Sequence, residues 1–550
     1  MRKKIKNVRL PLDYQEEDMR AAAARILKLS ADEFGEISVI REAVDARRNS
    51  VHFNVTLSIE LSEDALIKNN PQVASLEEPA PWNPVSGESA LPTPPIIVGS
   101  GPAGLFAALL LARYGYRPIL IEQGEDVERR VSKVNRFWRE GVLDARSNTQ
   151  FGEGGAGTFS DGKLTTRSGD RRVGQVLEVF VSHGASPAIR YKKKPHVGTD
   201  GIRKVVKGIR QEILDAGGEI YFNAQLTDMI INNAHLESII INNCLKVACS
   251  LVVLAVGNSA RKTYRLLQAN GVSIAPKSFA IGLRTEHPQA WADLTQYGDY
   301  AGHPRLGAAD YHLTFQDEHN HRGVYTFCMC PGGLVVASSS EPGQVVTNGM
   351  SYSNRDSGIA NSALVVTVNP ADWEYSALGG MELQEQLERR AYQMGQGGYK
   401  APAQMMTDFI ARQPGSSLQE SIATYRPGVT PCDLWQLLPH SWCSSLVRAM
   451  SCWNKRMPGF VHPQAVLTAA ETRTSAPVRI LRTAAMHSVN VDNLYPIGEG
   501  AGYAGGIISS AVDGLKAAET IIGGYKPPGQ ALHLEHESLY PARRLQDQDG

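Results

Sequence analysis

The chain has 550 residues, 42% of them hydrophobic and 20% charged, a globular composition spread over too much length for one core. At roughly 100–200 residues per domain it divides into about three to five folding units. Its 56 basic and 56 acidic residues cancel, which excludes an overall electrostatic pull towards nucleic acid or an anionic membrane.

The opening Met1-Arg-Lys-Lys-Ile-Lys is basic, but Pro11, Asp13, Glu16 and Glu17 stand where the apolar part of a signal peptide would lie, so no export signal is expected. A short strand near residues 8–10 precedes a helix over 16–29 that carries Met19, Ala22, Ala23, Ile26 and Leu27 on one face. A strand near 37–40 follows, and then strict alternation over 51–61 puts Val51, Phe53, Val55, Leu57, Ile59 and Leu61 on one side. These elements predict a small α+β domain of ferredoxin-like type over 1–68, read as a structural or oligomerisation unit, with nucleic-acid binding as the alternative. Prolines 71, 79, 81, 84, 92, 94 and 95 predict an extended linker over 69–94.

Beyond it, strands and helices alternate. A helix over 201–216 closes at Gly217-Gly218, strands at 219–222 and 239–241 flank a polar turn at Asn232-Asn233, and a strand over 250–256 ends in Gly257-Asn258-Ser259. Residues 269–459 mix strand-like runs (323–328, 334–337, 363–368) with helices (382–394, 403–412), predicting an inserted α+β substrate or cap domain. The flanking stretches 95–268 and 460–525 then form one dinucleotide-binding α/β domain, and 526–550 is expected to be a polar surface tail. The most apolar helical run, 105–112, is far shorter than the roughly 18 residues of a membrane span. Seven scattered cysteines, 244, 249, 328, 330, 432, 443 and 452, do not form a disulfide framework, so a reducing cytoplasm is expected.

The central motif is Ile96-Ile-Val-Gly99-Ser-Gly101-Pro-Ala103-Gly104, followed by Gly115 and by Pro118-Ile-Leu-Ile-Glu122. Gly99 permits a tight turn off a strand, Gly101 lets backbone approach a pyrophosphate, and Gly104 lets the following helix pack closely. The free amides and positive dipole end of that helix then face the phosphates, and Glu122, ending the next strand, is placed for a ribose diol. The spacing alone is weak evidence, because 152–157 and 500–505 match it too. What singles out the first match is the apolar strand before it, the helix after it and the acid that ends the next strand. Near the C-terminus, Leu494-Tyr-Pro-Ile497 runs into Gly498-Glu499-Gly500 and a helix over 507–522. This resembles the second nucleotide-contacting segment of glutathione-reductase-type flavoproteins. The resemblance implies FAD, with Glu499 on the ribityl chain and the backbone at Gly505 to Ile508 beside the flavin.

The chain resembles a bacterial group of uncharacterised FAD-dependent dehydrogenases over nearly its whole length. The residues that carry the likeness are 151–164 (FGEGGAGTFSDGKL), Lys194-Pro-His196-Val-Gly-Thr-Asp200, Arg284-Thr-Glu286-His287, Cys328-Met-Cys330-Pro-Gly-Gly333, Asn348-Gly-Met350-Ser and Gly498 to Gly506. Asn258 stands where the group tends to have a histidine or similar polar residue. The likeness implies FAD and redox chemistry and supplies no substrate.

From these readings the expected cofactor contacts are Gly99, Gly101, Ala103 and Gly104, then Glu122, Gln123 and Arg130, then Gly155, Ser160 and Lys163 of the glycine-rich loop. Leu226, Gly257, Glu499, Gly500, Gly505 and Ile507 complete the set. Arg130 is expected either to reach the pyrophosphate or to face water. Candidates for chemistry are Glu286 and His287, with His196 and Asp200 as a second polar cluster. Cys328 and Cys330, on one face of an expected strand, are further candidates, read as a redox pair or as buried packing near the ligand; they would sit about 6.6 Å apart by the ~3.3 Å rise, an awkward span for a disulfide. No metal ligand spacing is present. With no second strand-glycine-helix unit, NAD(P)H is expected, if it serves as electron donor, to dock in an open cleft. The reading is an FAD-dependent oxidoreductase that passes hydride through flavin N5 and acts on a small molecule. The alternatives are an FAD protein that modifies RNA and a non-catalytic flavoprotein.

Overall fold

A computed structural model describes residues 1–550 except 48–49, 63–69, 78–81, 167, 415–416, 419–420 and 547–550. Strands Arg2–Leu10, Phe34–Asp45, His52–Leu61 and Val73–Ser75, with helix Glu16–Leu27, form the N-terminal unit. Its sheet is antiparallel, with His52–Leu61 and Arg2–Leu10 central, Phe34–Asp45 at one edge and Val73–Ser75 at the other, the order of a ferredoxin-like sheet. The alternating side of 51–61 is the side buried against the helix, where Val55, Leu57 and Ile59 are fully covered. Because Val73–Ser75 pairs with Lys3–Ile5, the unit extends past the boundary expected at 68. The linker is also fastened at its far end, where Ser89–Ala90 pairs with Tyr525–Lys526; Pro79 and Pro81 lie outside the described residues.

The body is a parallel sheet of Leu494–Pro496, Val252–Leu254, Ile96–Val98, Ile119–Ile121 and Glu219–Phe222, in that spatial order. Apart from Glu219, its strands read as short apolar runs because both faces are covered. Helix Pro102–Arg113 lies against the sheet under helices Gly198–Asp215 and Ile507–Gly524, and ten of its twelve residues are buried. It is therefore apolar all round, the signature of a core helix. Close contact is obligatory here, since a Cβ on Gly514 would stand 2.1 Å from the Ala103 carbonyl oxygen. The expected surface tail instead folds back. Tyr540–Pro541 adds an antiparallel edge strand to Glu219–Phe222, with Leu534 and Leu539 buried and Arg543 paired to Glu219 at 2.8 Å. A few apolar residues in a polar stretch suffice to cap a sheet edge.

The inserted unit is a seven-stranded sheet in the order Thr314–Asp317, Arg322–Cys330, Ile359–Val368, Phe279–Pro288, Val466–Glu471, Ala401–Met405, Val429–Pro431. Strand Val466–Glu471 pairs with Phe279–Pro288, so the chain returns to the body only after residue 471 and not at 460. Residues 403–405, expected as the start of a helix, belong to strand Ala401–Met405, which passes into helix Met406–Ala411. Helix His440–Arg456, absent from the sequence reading, packs Trp442, Leu446, Ala449, Met450 and Trp453 into this core.

Body and insertion are joined by a buried ionic cluster. Glu388 accepts from Arg261 at 2.7 Å and from Arg473 at 2.9 Å, and Arg261 also meets Glu341 at 2.6 Å. Burial alone would raise the Glu388 carboxyl, but the two guanidiniums hold it down at about 2. Glu388→Ala strands both cations, and a loss of about 3–5 kcal/mol in unfolding free energy is expected by denaturant titration. Because the folded-state pKa is depressed, this stabilisation is present above the ordinary value of about 4.3 and fades as pH falls towards 2, a slope the variant should lack.

Candidate functional site

One cleft of about 970 Å³ lies where the body, the insertion and the N-terminal unit meet, within the range typical of ligand sites. At its base the strand Ile96–Val98 turns sharply through Gly99, at φ +103, into the helix that starts at Pro102. A Cβ on Gly104 would stand 1.9 Å from the Gly99 carbonyl oxygen. Gly104 is thus a steric requirement of the turn and does not line the cleft, whereas Gly99, Gly101 and Ala103 do.

Glu122 braces this turn. Its carboxylate accepts from the Ser100 amide at 2.9 Å and hydroxyl at 2.8 Å, and from the amides of Gly124 and Gly152, each at 3.0 Å. Four donors thus hold the carboxylate against the turn, and Glu122 also lines the cleft. Gln123 beside it lines the cleft, and its amide has no hydrogen-bond partner among the described residues.

The glycine-rich loop is fixed onto the turn from the other side. Gly154 donates to the Ser100 carbonyl at 2.9 Å, and a Cβ on Gly155 would come within 3.0 Å of the Gly101 Cα. Arg130 neither reaches the cleft nor faces water. It is fully buried and donates to the carbonyls of Asn148 at 2.7 Å, Gly152 at 3.1 Å and Glu153 at 2.6 Å, with Nη2 left unpartnered. Burial lowers its guanidinium to about 9. Gly155, Ser160 and Lys163 do line the cleft; the Ser160 hydroxyl is engaged with Gly157 and Gly162, and the Lys163 ammonium donates to the Met329 carbonyl across in the insertion.

The distant C-terminal segment arrives at the same cleft. Leu226, Gly257, Glu499, Gly505 and Ile507 all line it. Gly500 does not, because it serves contact with Gly257, whose carbonyl oxygen would lie 2.5 Å from a Cβ there; Tyr264 bonds both carbonyls, at 3.1 and 3.0 Å. Glu499 is set by Asn258, which donates at 2.9 Å and in turn accepts from Ser259 at 3.0 Å. Burial pushes the Glu499 carboxyl up to about 7, against the Asn258 hydrogen bond.

The candidates for chemistry separate. Glu286 and His287 lie on a strand covered on both faces and do not reach the cleft. Thr424 donates twice to Glu286, whose carboxyl burial raises to about 7. His287 stacks on Trp291 at 4.7 Å, meets the Phe460 carbonyl at 2.6 Å and is lowered by burial to about 4. Both serve packing. His196 and Asp200 tie the body to the backbone of Ser353. Cys328 lines the cleft while Cys330 is buried behind it, so the two do not share a face. A bulge between Phe327 and Cys330 breaks the alternation. Sequence reasoning missed Asp310, Tyr311 and His312 of the insertion, and Ile40 and Arg41, by which the N-terminal unit forms part of the wall. No local signal marks them. Among the described residues no group of three His, Cys, Asp or Glu is placed to hold a metal, and no helix is long and apolar enough to cross a membrane.

Residues 278–474 match the family described as FAD-dependent protein, C-terminal domain-like, and residues 92–139 match an FAD binding domain. Residues 1–60 match a domain of unknown function, DUF8436. An uncharacterised protein of Clostridium beijerinckii (strain ATCC 51743 / NCIMB 8052) is 46% identical over 524 residues, 94% of this chain and 98% of its own. The chain belongs to this family of FAD-dependent proteins. Among solved structures it is similar to a geranylgeranyl bacteriochlorophyll reductase-like protein of Thermoplasma acidophilum (12% identity, 79% of each chain, TM-score 0.33). It is also similar to the flavin-dependent brominase Bmp2 (11% identity, 80% of this chain and 81% of that one, TM-score 0.36).

The residues of this FAD-dependent protein suit the dinucleotide. Nothing lies within 4 Å of where a Cβ would stand on Gly505 or Gly506, and only the Gly155 Cα, at 3.9 Å, does so at Gly101; the backbone there is open to a ligand. The first-turn amides of helices Pro102–Arg113 and Ile507–Gly524 have no intrahelical acceptor. Glu122→Ala would strand several buried donors at about 1–3 kcal/mol each. A loss of about 2–4 kcal/mol is expected even in FAD-free protein, measured by thermal unfolding, whereas a ribose contact alone would leave the apoprotein unchanged.

Proposed function

We propose that the chain is an FAD-dependent oxidoreductase of the cytoplasm that acts on a small molecule. The reading rests on the convergence of the Gly99–Gly104 turn, Lys163 and Glu499 on one cleft, from segments some 400 residues apart in sequence. Bound FAD supplies hydride transfer at N5. The chain's own residues would do the rest: turn amides would receive the diphosphate, Glu122 and Gln123 would meet the adenosine ribose, and Glu499 would accept from the ribityl hydroxyls. The N-terminus of helix Ile507–Gly524 stabilises negative charge beside the flavin pyrimidine. Asp310, Tyr311 and His312 face the space left for substrate, into which a nicotinamide donor could also dock.

One observation favours an anionic substrate. Arg41, Lys192 and Lys193 line the outer cleft with no carboxylate within ion-pair distance among the described residues, while neighbouring Lys194 is spent on Asp310 at 2.7 Å. That rim also suits the phosphates of NAD(P)H or of RNA, the reading in which the chain modifies RNA.

The protein as purified is expected to carry one FAD, released on denaturation and measured by absorbance. Anaerobic addition of NADH, NADPH and candidate acids in turn should bleach it with one of them. A colourless chain indifferent to added FAD would refute the reading. Replacing Arg41, Lys192 and Lys193 together with alanine should raise KM for that partner at least tenfold and flatten its salt dependence, with FAD content unchanged.

A further inference from the structure

Strand Arg322–Cys330 leaves its regular course just as it reaches the cleft. Phe327 pairs with Ala363 and Cys330 with Asn361, so one extra residue is accommodated between them. Cys328 takes φ +43, a left-handed conformation that side chains with a Cβ seldom adopt. Such strain persists only where surroundings enforce it, and it concentrates at functional sites. Here Arg284 enforces it, donating from Nη2 to the Cys328 carbonyl at 2.7 Å, and Lys163 donates to the Met329 carbonyl.

The kink has a chemical result. Cys328 is turned to the cleft wall, and Cys330, fully buried, folds back so that its sulfur meets the Cys328 carbonyl at 3.3 Å. The extended geometry that would hold them apart is gone. Arg284 Nη2 reaches the Cys330 sulfur at 3.5 Å. The neighbouring Cys330 thiol, then Lys163 and Arg284, hold the Cys328 thiol below its ordinary range against burial and Asp161, while Cys330 is pushed up. Glu471 and Glu499 are the other acids facing Cys328, and both are themselves raised by burial. The more acidic thiol thus stands at the cleft with its partner behind it, the arrangement in which a dithiol reacts.

We propose that Cys328 and Cys330 are a redox dithiol that exchanges an electron pair with bound FAD, and that the compound on the other side of the reaction is itself a thiol or a disulfide. The inference rests on the functional reading above and narrows its substrate class. In the oxidising direction the Cys328 thiolate and Cys330 thiol give up two electrons and one proton. A single Cys328–Cys330 sulfur–sulfur bond forms, and the flavin takes up that electron pair and that proton. Two external thiols then return the disulfide to the dithiol by successive exchange and leave as their own disulfide. Run backwards, the same steps reduce an external disulfide at the expense of reduced flavin.

The test is an electron count on the FAD-loaded full chain, oxidised with oxidised dithiothreitol, freed of it, and titrated anaerobically with dithionite. Wild type is expected to take up four electrons per bound FAD. Cys328→Ser and Cys330→Ser should take up two, with FAD content unchanged. Independently of any variant, the free thiols of denatured wild type should rise by two between the oxidised and reduced samples, and peptide mass spectrometry should place both at residues 328 and 330. Uptake of two electrons by wild type with a constant thiol count would overturn the dithiol and leave the flavin reading intact. A chain that binds no FAD would overturn the flavin reading itself.

Discussion

Everything at the cleft depends on how tightly the backbone can turn at the end of strand Ile96–Val98. The Gly99 carbonyl occupies the volume of a side chain that Gly104 lacks, and the Glu122 carboxylate collects amides from the turn, from the next loop and from the glycine-rich loop. A buried carboxylate accepting four hydrogen bonds keeps three chain segments in register more firmly than apolar contact could, because each donor is costly to leave unpaired. The glycine-rich loop has no strand of its own, and its shape is borrowed from this junction and from the buried Arg130.

The insertion must be held over that base without closing it. Glu388 with Arg261 and Arg473 does this, at 2.7 and 2.9 Å, while Arg284 with Glu471, at 3.2 Å, ties two strands of the insertion to each other. Arg473 also lines the cleft, so a group that joins the two units belongs to the wall of the site. Buried ion pairs are poor sources of net stability but demanding of geometry, which suits a wall whose position matters more than its strength.

The FAD-dependent family and the mixed α/β class are legible in the sequence because the signals are local. Glycines at fixed offsets, a strand before and a helix after are constraints on contiguous backbone. The bracing role of Glu122 is not legible, since its position at a strand end suits a ribose as well as three amides and a hydroxyl, and the path of residues 147–152 supplies one of them. Glu286 and His287 mislead for a related reason. Polar residues in an alternating strand imply a wet face, yet Phe279–Pro288 has partners on both sides and cover on both faces. Helix His440–Arg456 carries Trp442, Leu446, Ala449 and Trp453 at helical spacing, a signal present in the sequence but interrupted by cysteine and serine. The bulge at Cys328 has no local marker at all; it is imposed by Arg284 from another strand.

The N-terminal unit meets the body through its own sheet edge. Glu42 of strand Phe34–Asp45 donates its amide to the Tyr191 carbonyl and accepts from the Lys193 amide, both at 2.8 Å, next to Ile40 and Arg41 on the cleft wall. Unpaired strand edges are templates for uncontrolled self-association, and the same edge carries the part-exposed Ile40 and Val44. The contact that completes the cleft therefore also guards solubility: a fragment cut after the first sheet would bare a sticky ribbon, and the remainder would lose one side of its binding chamber.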